Sequence, residues 1–275
     1  MPRPFTQTEE GMKHFPVVIL AGGLGTRLRE QTEFIPKPMV PVGPRPMLWH
    51  IMKIYSFYGY KRFIICLGYK GGIIKDYFFN YRMRDSDFTI KLGNPENIRI
   101  HNVHHEDDWE VTLADTGFNA MTGARIKRVE KYIDTDKFLL TYGDGVADMN
   151  VKKLVDFHDS HGKLATVTGV RPPSRFGELI NEGDQVVEFG EKPQVGSSII
   201  NGGFFVFNRG VFNYLSGDDQ CVLEREPLEK LAKDGELMVY QHMGFWQCMD
   251  TLRDVNLLND HWGKGDAPWK IWKGD

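Results

Sequence analysis

Short apolar runs closed by glycines, alternating with stretches of helical spacing, set the architecture of this chain. Val17–Leu20 is a continuous apolar run that stops at Gly22 and Gly23, the pattern of a strand buried on both faces. Residues 47–58 (MLWHIMKIYSFY) place apolar side chains at helical spacing and end before Gly59, a suitable C-cap. Further strands are predicted at 63–67, 138–142, 165–170 and 203–207, and further helices at 73–81 and 151–161, the last stopped by Gly162. This alternation predicts an α/β fold: a Rossmann-like, mostly parallel mixed sheet flanked by helices. Ligands of such sheets bind beyond the carboxyl ends of the strands. The glycine loop after the first strand falls there, and so does Asp144 after the third.

Residues 82–125 lack a clear period and are expected to leave the sheet as an insertion. Residues 1–14 are polar with two prolines and are expected to form a flexible N-terminal extension. With no Pro-, Gly- or Ser-rich linker and no internal repeat, residues 15–275 are expected to be a single domain. Hydrophobic content of 41% and charged content of 26% are ordinary for a soluble globular protein. The net charge of −3, from 34 basic and 37 acidic side chains, argues against a nucleic-acid partner. No run approaches the length of a membrane span. Cys66, Cys221 and Cys248 are scattered and form no CxxC pair, so neither a disulfide framework nor a zinc ribbon is implied, and a cytoplasmic location fits best.

The candidate chemistry lies in VVILAGGLGTRLREQTEFIPKP, residues 17–38. Glycines let a backbone approach a phosphate closely, and successive N–H groups make an anion nest. Arg27 and Lys37 are placed to meet the anion, with Lys37 held between Pro36 and Pro38. The dinucleotide fingerprint G-x-G-x-x-G fails at Leu28, which disfavours a nicotinamide oxidoreductase, and no Walker A string occurs. Asp144, between two glycines past an apolar strand, suits a hard dication, with Asp250 as its partner. From the residues alone, Asp250 could equally cap the helical run that follows it. Lys192 and Asn201 each have an ordinary alternative, a solvated lysine and a turn residue. Arg125 could pair with a surface acid. His101, His104 and His105 with the acids at 106–108 read as a solvated loop. Trp262, Trp269 and Trp272 are expected to anchor the C-terminal tail onto the domain or a neighbouring subunit.

LAGGLGTRL followed by PKP resembles the signature of the sugar-phosphate nucleotidyltransferases, a family of GT-A-like fold. TYGDG (141–145), FGEKP (189–193), NGGFFVFN (201–208) and GFWQCMDT (244–251) extend the resemblance along nearly the whole chain. KPMVPVG, LWHIMKIYS, CLGYKG, VTLADTG, MTGARIKRV and APWKIW are similar to the cytidylyltransferase branch of that family. The resemblance implies magnesium-dependent transfer of a cytidylyl group from CTP to glucose 1-phosphate, giving CDP-glucose for the dideoxy sugars of lipopolysaccharide O-antigen. A different nucleoside triphosphate, or a homologue that binds nucleotide sugars without turnover, are the alternatives. It assigns the nucleotide to Leu20, Ala21, Gly22, Gly23, Leu24, Gly25, Thr26 and Arg27, with Gly143. Thr116, Thr122 and Arg125 become candidates for reading the cytosine. Magnesium falls to Asp144 and Asp250, and the sugar phosphate to Arg175, Glu191, Lys192, Asn201 and Gly202. Arg27, Lys37 and Lys192 are the expected catalytic cations, and a homo-oligomer is expected.

Overall fold

The computed structural model describes residues 15–101, 106–172, 178–182, 185–190 and 199–274. In chain order its principal strands are β1 (Val17–Leu20), β2 (Arg62–Leu67), β3 (Glu110–Asp115), β4 (Lys137–Tyr142), β5 (Gly145–Ala147), β6 (Ala165–Val170), β7 (Ile200–Asn208), β8 (Leu237–His242) and β9 (Trp246–Cys248). The principal helices are α1 (Met47–Phe57), α2 (Gly71–Phe79), α3 (Thr122–Arg128), α4 (Val151–His161), α5 (Glu226–Lys233) and α6 (Leu252–Lys264). Seven strands form one sheet in the order β8-β6-β7-β4-β1-β2-β3. Neighbours run parallel except at β7, which is antiparallel to both β6 and β4.

The continuous apolar run of β1 has a direct cause: both faces of the sheet are covered. Val17 and Ile19 enter a core with Leu48, Ile51, Met52 and Tyr55 of α1. Val18 and Leu20 enter the opposite core with Ile126 of α3 and Phe138, Phe205 and Phe207. Alternate residues thus serve two cores, and every position of β1 must be apolar. Register then sets the site. Leu20 lies level with Cys66 on one side and Tyr142 on the other. The loop after β1 and the Gly143-Asp144 turn after β4 therefore emerge side by side.

The expected excursion at 82–125 is narrower than the sequence suggested. A hairpin of strands Phe88–Lys91 and Asn94–Ile100 does leave the sheet, but Glu110–Asp115 returns to it as an edge strand pairing with β2. An edge strand is only partly buried, so EVTLAD carries no continuous apolar run to announce it. Residues 122–128 likewise form a helix packed over the β1–β4 face. The predicted strand at 203–207 begins earlier, at Ile200, because Asn201 pairs with Gly169 of β6 despite the glycine pair that follows. Residues 1–14, with the expected flexible extension, and His104 and His105 lie outside the described residues. The C-terminal tail folds onto α1: Trp269 is fully buried and its indole N–H donates to His50 Nδ1 at 3.4 Å. Among the described residues no helix is long and apolar enough to cross a membrane.

Candidate active site

Asp144 and Asp250 are brought together by a short ribbon. β5 pairs antiparallel with β9 so that Gly145 faces Cys248, and the N–H of Met249 donates to the Asp144 carbonyl at 2.8 Å. Asp144 immediately precedes β5 and Asp250 follows β9 by two residues, so the two carboxylates converge. Lys37, in the turn Lys37–Met39 after Pro36, reaches between them: Nζ donates to Asp144 Oδ2 at 2.5 Å and Asp250 Oδ1 at 2.6 Å. Arg27 donates to the other oxygen of Asp250, also at 2.6 Å. Burial alone would lower the Lys37 ammonium, but the adjacent Asp144 carboxylate outweighs it and pushes the group up to about 12. Burial would raise the Asp250 carboxyl, and Lys37 and Arg27 instead hold it below the usual carboxylate range. Lys37 and Asp250 are therefore both charged at neutral pH.

Asp250 does not cap the following helix. Thr251 does: its hydroxyl accepts from the N–H of Asp254, and the Asp254 carboxylate accepts from the N–H of Thr251. This capping box starts α6 two residues beyond Asp250, leaving the Asp250 carboxylate directed at Lys37. No motif pointed to Cys248, yet its sulfur and one oxygen of each aspartate all lie within 4.8 Å of one another. Burial, reinforced by Asp144, pushes that thiol up, so it stays a neutral neighbour at physiological pH. Two carboxylate oxygens occupied by one ammonium fit a hard dication, which takes one or two carboxylates and completes its shell with water and substrate phosphates.

The glycine loop leaves β1 with its N–H groups uncommitted. Among the described residues, no protein acceptor is recorded for the N–H groups of Gly22, Gly23, Leu24 or Gly25. Gly23, Leu24, Thr26 and Arg27 are exposed, while Gly143 is buried beneath the loop with its N–H bonded to the Leu20 carbonyl. Arg125, a candidate for reading the cytosine, is held among backbone carbonyls beside the glycine loop. It is 4% exposed, and its guanidinium donates to the carbonyls of Gly22, Leu67, Gly117 and Phe118 and to the Thr116 hydroxyl. A Cβ at Gly22 would lie 2.3 Å from Arg125 Nη1, so this glycine is required for close approach. Arg125 thus fastens the loop to the ends of β2 and β3, and among the described residues it forms no ion pair with a surface acid. Thr116 is held in the same knot, its hydroxyl donating to the Leu67 carbonyl. Thr122 instead donates to Glu224 at 2.6 Å.

A cleft of about 1270 Å³ opens beside these groups, lined in part by Arg27, Asp144, Asn201, Gly202, Trp246 and Asp250. It exceeds the ≈ 300–1,000 Å³ typical of a pocket for one ligand. Asn201 and Gly202, from the start of β7, line it together with Asp144 and Asp250. Arg175, Glu191 and Lys192 lie outside the described residues. Tyr142 and Glu224, which the sequence reading did not single out, join Asn201 and Thr122 in one hydrogen-bonded chain.

Comparison with known proteins bears directly on this arrangement. Residues 16–254 match the family model described as nucleotidyl transferase. The chain is 54% identical over 259 residues to the glucose-1-phosphate cytidylyltransferase of Salmonella typhi, covering 93% of this chain and 99% of that protein. Among solved structures, HddC from Yersinia pseudotuberculosis is similar with a TM-score of 0.63 and 25% identity, over 90% of this chain and 99% of that one. A UDP-glucose pyrophosphorylase complexed with UDP-glucose shares the fold, with a TM-score of 0.64 at 17% identity over 91% of this chain and 99% of its own. A strand-terminal glycine loop, two cations and a carboxylate pair thus stand on a chain whose residues 16–254 match the family model, and the chain belongs to the nucleotidyl transferase family.

Proposed function

We propose that this chain transfers the cytidylyl group of CTP to α-D-glucose 1-phosphate, giving CDP-glucose and pyrophosphate. The observation that carries the reading is the joining of Lys37, Asp144 and Asp250 at one point beside the glycine loop. The 54% identity to a glucose-1-phosphate cytidylyltransferase over nearly the full length of both proteins supports the choice of substrates.

A phosphate oxygen of the sugar phosphate attacks the α-phosphorus of CTP in line, and pyrophosphate leaves from the opposite side. A phosphate dianion is a competent nucleophile at neutral pH, so no general base is needed. The protein's task is positioning and charge neutralisation. The N–H groups of Gly22 to Gly25 and the Arg27 side chain receive the triphosphate. Lys37 stabilises the charge shared around the α-phosphate, and Lys192 brings in the sugar phosphate. Asn201 and Gly202 meet the sugar hydroxyls. Magnesium, held by Asp144 and Asp250, would supply further neutralisation of the triphosphate. The product would feed synthesis of the dideoxy sugars of lipopolysaccharide O-antigen in the cytoplasm, by a homo-oligomeric enzyme.

The test is a turnover screen of CTP, UTP, dTTP, GTP and ATP against several sugar 1-phosphates, read by pyrophosphate release. CTP with glucose 1-phosphate is expected to exceed every other pair by about 10⁴-fold in kcat/KM, the scale on which a buried hydrogen-bonding site rejects an analogue lacking the right groups. Equal turnover of UTP or dTTP under competition would remove the cytidylyl assignment and leave the wider nucleotidyltransferase reading standing.

A further inference from the structure

The start of β7 lies flat against the Tyr142 ring. Gly203 has φ +83°, and a Cβ there would fall 2.5 Å from Tyr142 Cδ2. From this turn, Asn201 Nδ2 donates to the Tyr142 hydroxyl at 3.2 Å, while Asn201 Oδ1 accepts from the N–H of Gly203 at 2.8 Å. The Tyr142 hydroxyl in turn donates to one oxygen of Glu224. The other Glu224 oxygen accepts from the Thr122 hydroxyl at 2.6 Å, and that hydroxyl accepts from the N–H of Leu223 at 2.9 Å. On the far side of the turn, the Trp246 indole donates to the Gly202 carbonyl at 2.8 Å.

The direction of every bond in this chain follows from Glu224. An ionised carboxylate only accepts, so both Tyr142 and Thr122 must donate to it. Tyr142 has a single proton, and once that is given to Glu224 its oxygen can only accept from Asn201. The Asn201 amide is thereby held with its nitrogen toward Tyr142 and its oxygen toward Gly203. One N–H and one carbonyl lone pair of Asn201 remain, and Asn201 lines the cleft. Among the described residues Glu224 pairs with no lysine or arginine; its oxygens are engaged by two hydroxyls. Glu224 is exposed, so water solvates its charge, and what it supplies to this chain is a pair of oxygens that accept from Tyr142 and Thr122.

We propose that Glu224 is a positioning residue for sugar recognition: through the Tyr142 hydroxyl it fixes the Asn201 amide in the orientation that presents one donor and one acceptor to a sugar hydroxyl. This rests on the reading of Asn201 as a sugar contact. An amide held in one orientation can distinguish an equatorial from an axial hydroxyl, whereas an amide free to turn over accepts either. Glu224 therefore sets selectivity among hexose 1-phosphates, without touching the substrate.

The test compares wild type with Glu224→Gln, Glu224→Ala, Tyr142→Phe and the Glu224→Ala/Tyr142→Phe double variant. Each is assayed by pyrophosphate release with CTP and glucose, galactose or mannose 1-phosphate. Glu224→Ala is expected to raise KM for glucose 1-phosphate about 10-fold and to lower the glucose-over-epimer ratio by a similar factor, the scale of one hydrogen-bonded contact. KM for CTP and kcat at saturation should stay within about twofold of wild type, and the melting temperature within about 2 °C, as for a surface substitution. Glu224→Gln keeps one acceptor oxygen for the Tyr142 hydroxyl, so it should lie closer to wild type than Glu224→Ala does. The double variant should be no worse than the worse single one, because both break the same chain. An unchanged KM and unchanged epimer ratio in Glu224→Ala, with wild type turning over glucose 1-phosphate, would overturn the positioning role alone. A wild-type protein with no turnover of any sugar 1-phosphate would overturn the activity reading and the positioning role with it.

Discussion

Arg125→Met separates two roles for one buried cation. Methionine approximates the length of the arginine stem and brings no donor, so the change removes five hydrogen bonds from one knot. The losses are unequal. The Gly22 carbonyl keeps the N–H of Tyr69, and the Leu67 carbonyl keeps the N–H and hydroxyl of Thr116. The Gly117 and Phe118 carbonyls have no other recorded donor among the described residues, and Phe118 is 59% exposed, so water can meet its carbonyl. One fully orphaned acceptor, together with weakened bonds to the others, costs about 2–3 kcal/mol. Removing a buried charge offsets part of this, since burial already pulls the Arg125 guanidinium below its usual value. A fall of roughly 5–10 °C in melting temperature is expected for a chain of this size. Because the loop at Gly22 loses its anchor, kcat/KM should drop for CTP and UTP alike, leaving their ratio within about twofold of wild type. Differential scanning fluorimetry and competition between the two nucleotides measure both quantities. An unchanged melting temperature with selective loss of CTP would show that Arg125 reads the base, and the anchoring argument would fail.

Asp144→Asn and Asp250→Asn should each lower turnover by about 100-fold or more with the fold intact by circular dichroism, and the double variant should be little worse, since the two act as a unit. Lys37→Ala should act mainly on kcat and Lys192→Ala mainly on KM for glucose 1-phosphate, each costing about 2–4 kcal/mol; the reverse split in steady-state kinetics would exchange their roles. His50, fully buried, donates from Nε2 to the Val42 carbonyl and accepts the Trp269 indole at Nδ1, and burial, aided by Arg45 and Lys270, lowers its imidazole to about 4. An unfolded histidine titrates near 6.5, so the unfolded state binds the extra proton first: stability is full above pH ~6.5 and falls toward pH ~4 by about 3 kcal/mol. His50→Gln should flatten that slope in a melting series, and an equally steep series would show that other groups carry it.

Legibility of the fold follows burial. β1, β2 and β4 sit mid-sheet between two cores, so their sequences are unbroken apolar runs and their ends could be placed within a residue or two. The edge strands β3 and β8 are only partly buried and mix apolar with polar positions, as in LMVYQH, so no short-window pattern exposes them. β8 lies next to β6, whose own run was read, but the pairing joins segments some 70 positions apart and follows from the strand order. Helices with a cap signal were the easier case. Asn150 accepts from the N–H of Lys153 at the start of α4, and Gly162 ends it at the expected residue.

The site divides along the same line between local and distant causes. The glycine loop is a local object: a strand, then residues without bulk, then cations, and its backbone chemistry is written in consecutive letters. The meeting of Asp144 and Asp250 is not, because it depends on the register of β5 against β9, which no local spacing encodes. Arg125 shows the limit most clearly. A cation near a nucleotide loop suggests a ligand contact, and nothing in MTGARIKRV tells which way the helix turns that side chain. The deciding fact is that the carbonyls of Gly22, Leu67, Gly117 and Phe118, from three separate loops, all point inward at one place. Buried acceptors must find donors, and one guanidinium with five N–H groups satisfies more of them than any other side chain. The residue type at position 125 is therefore dictated by backbone groups contributed from segments up to 103 positions away, which no local motif can encode.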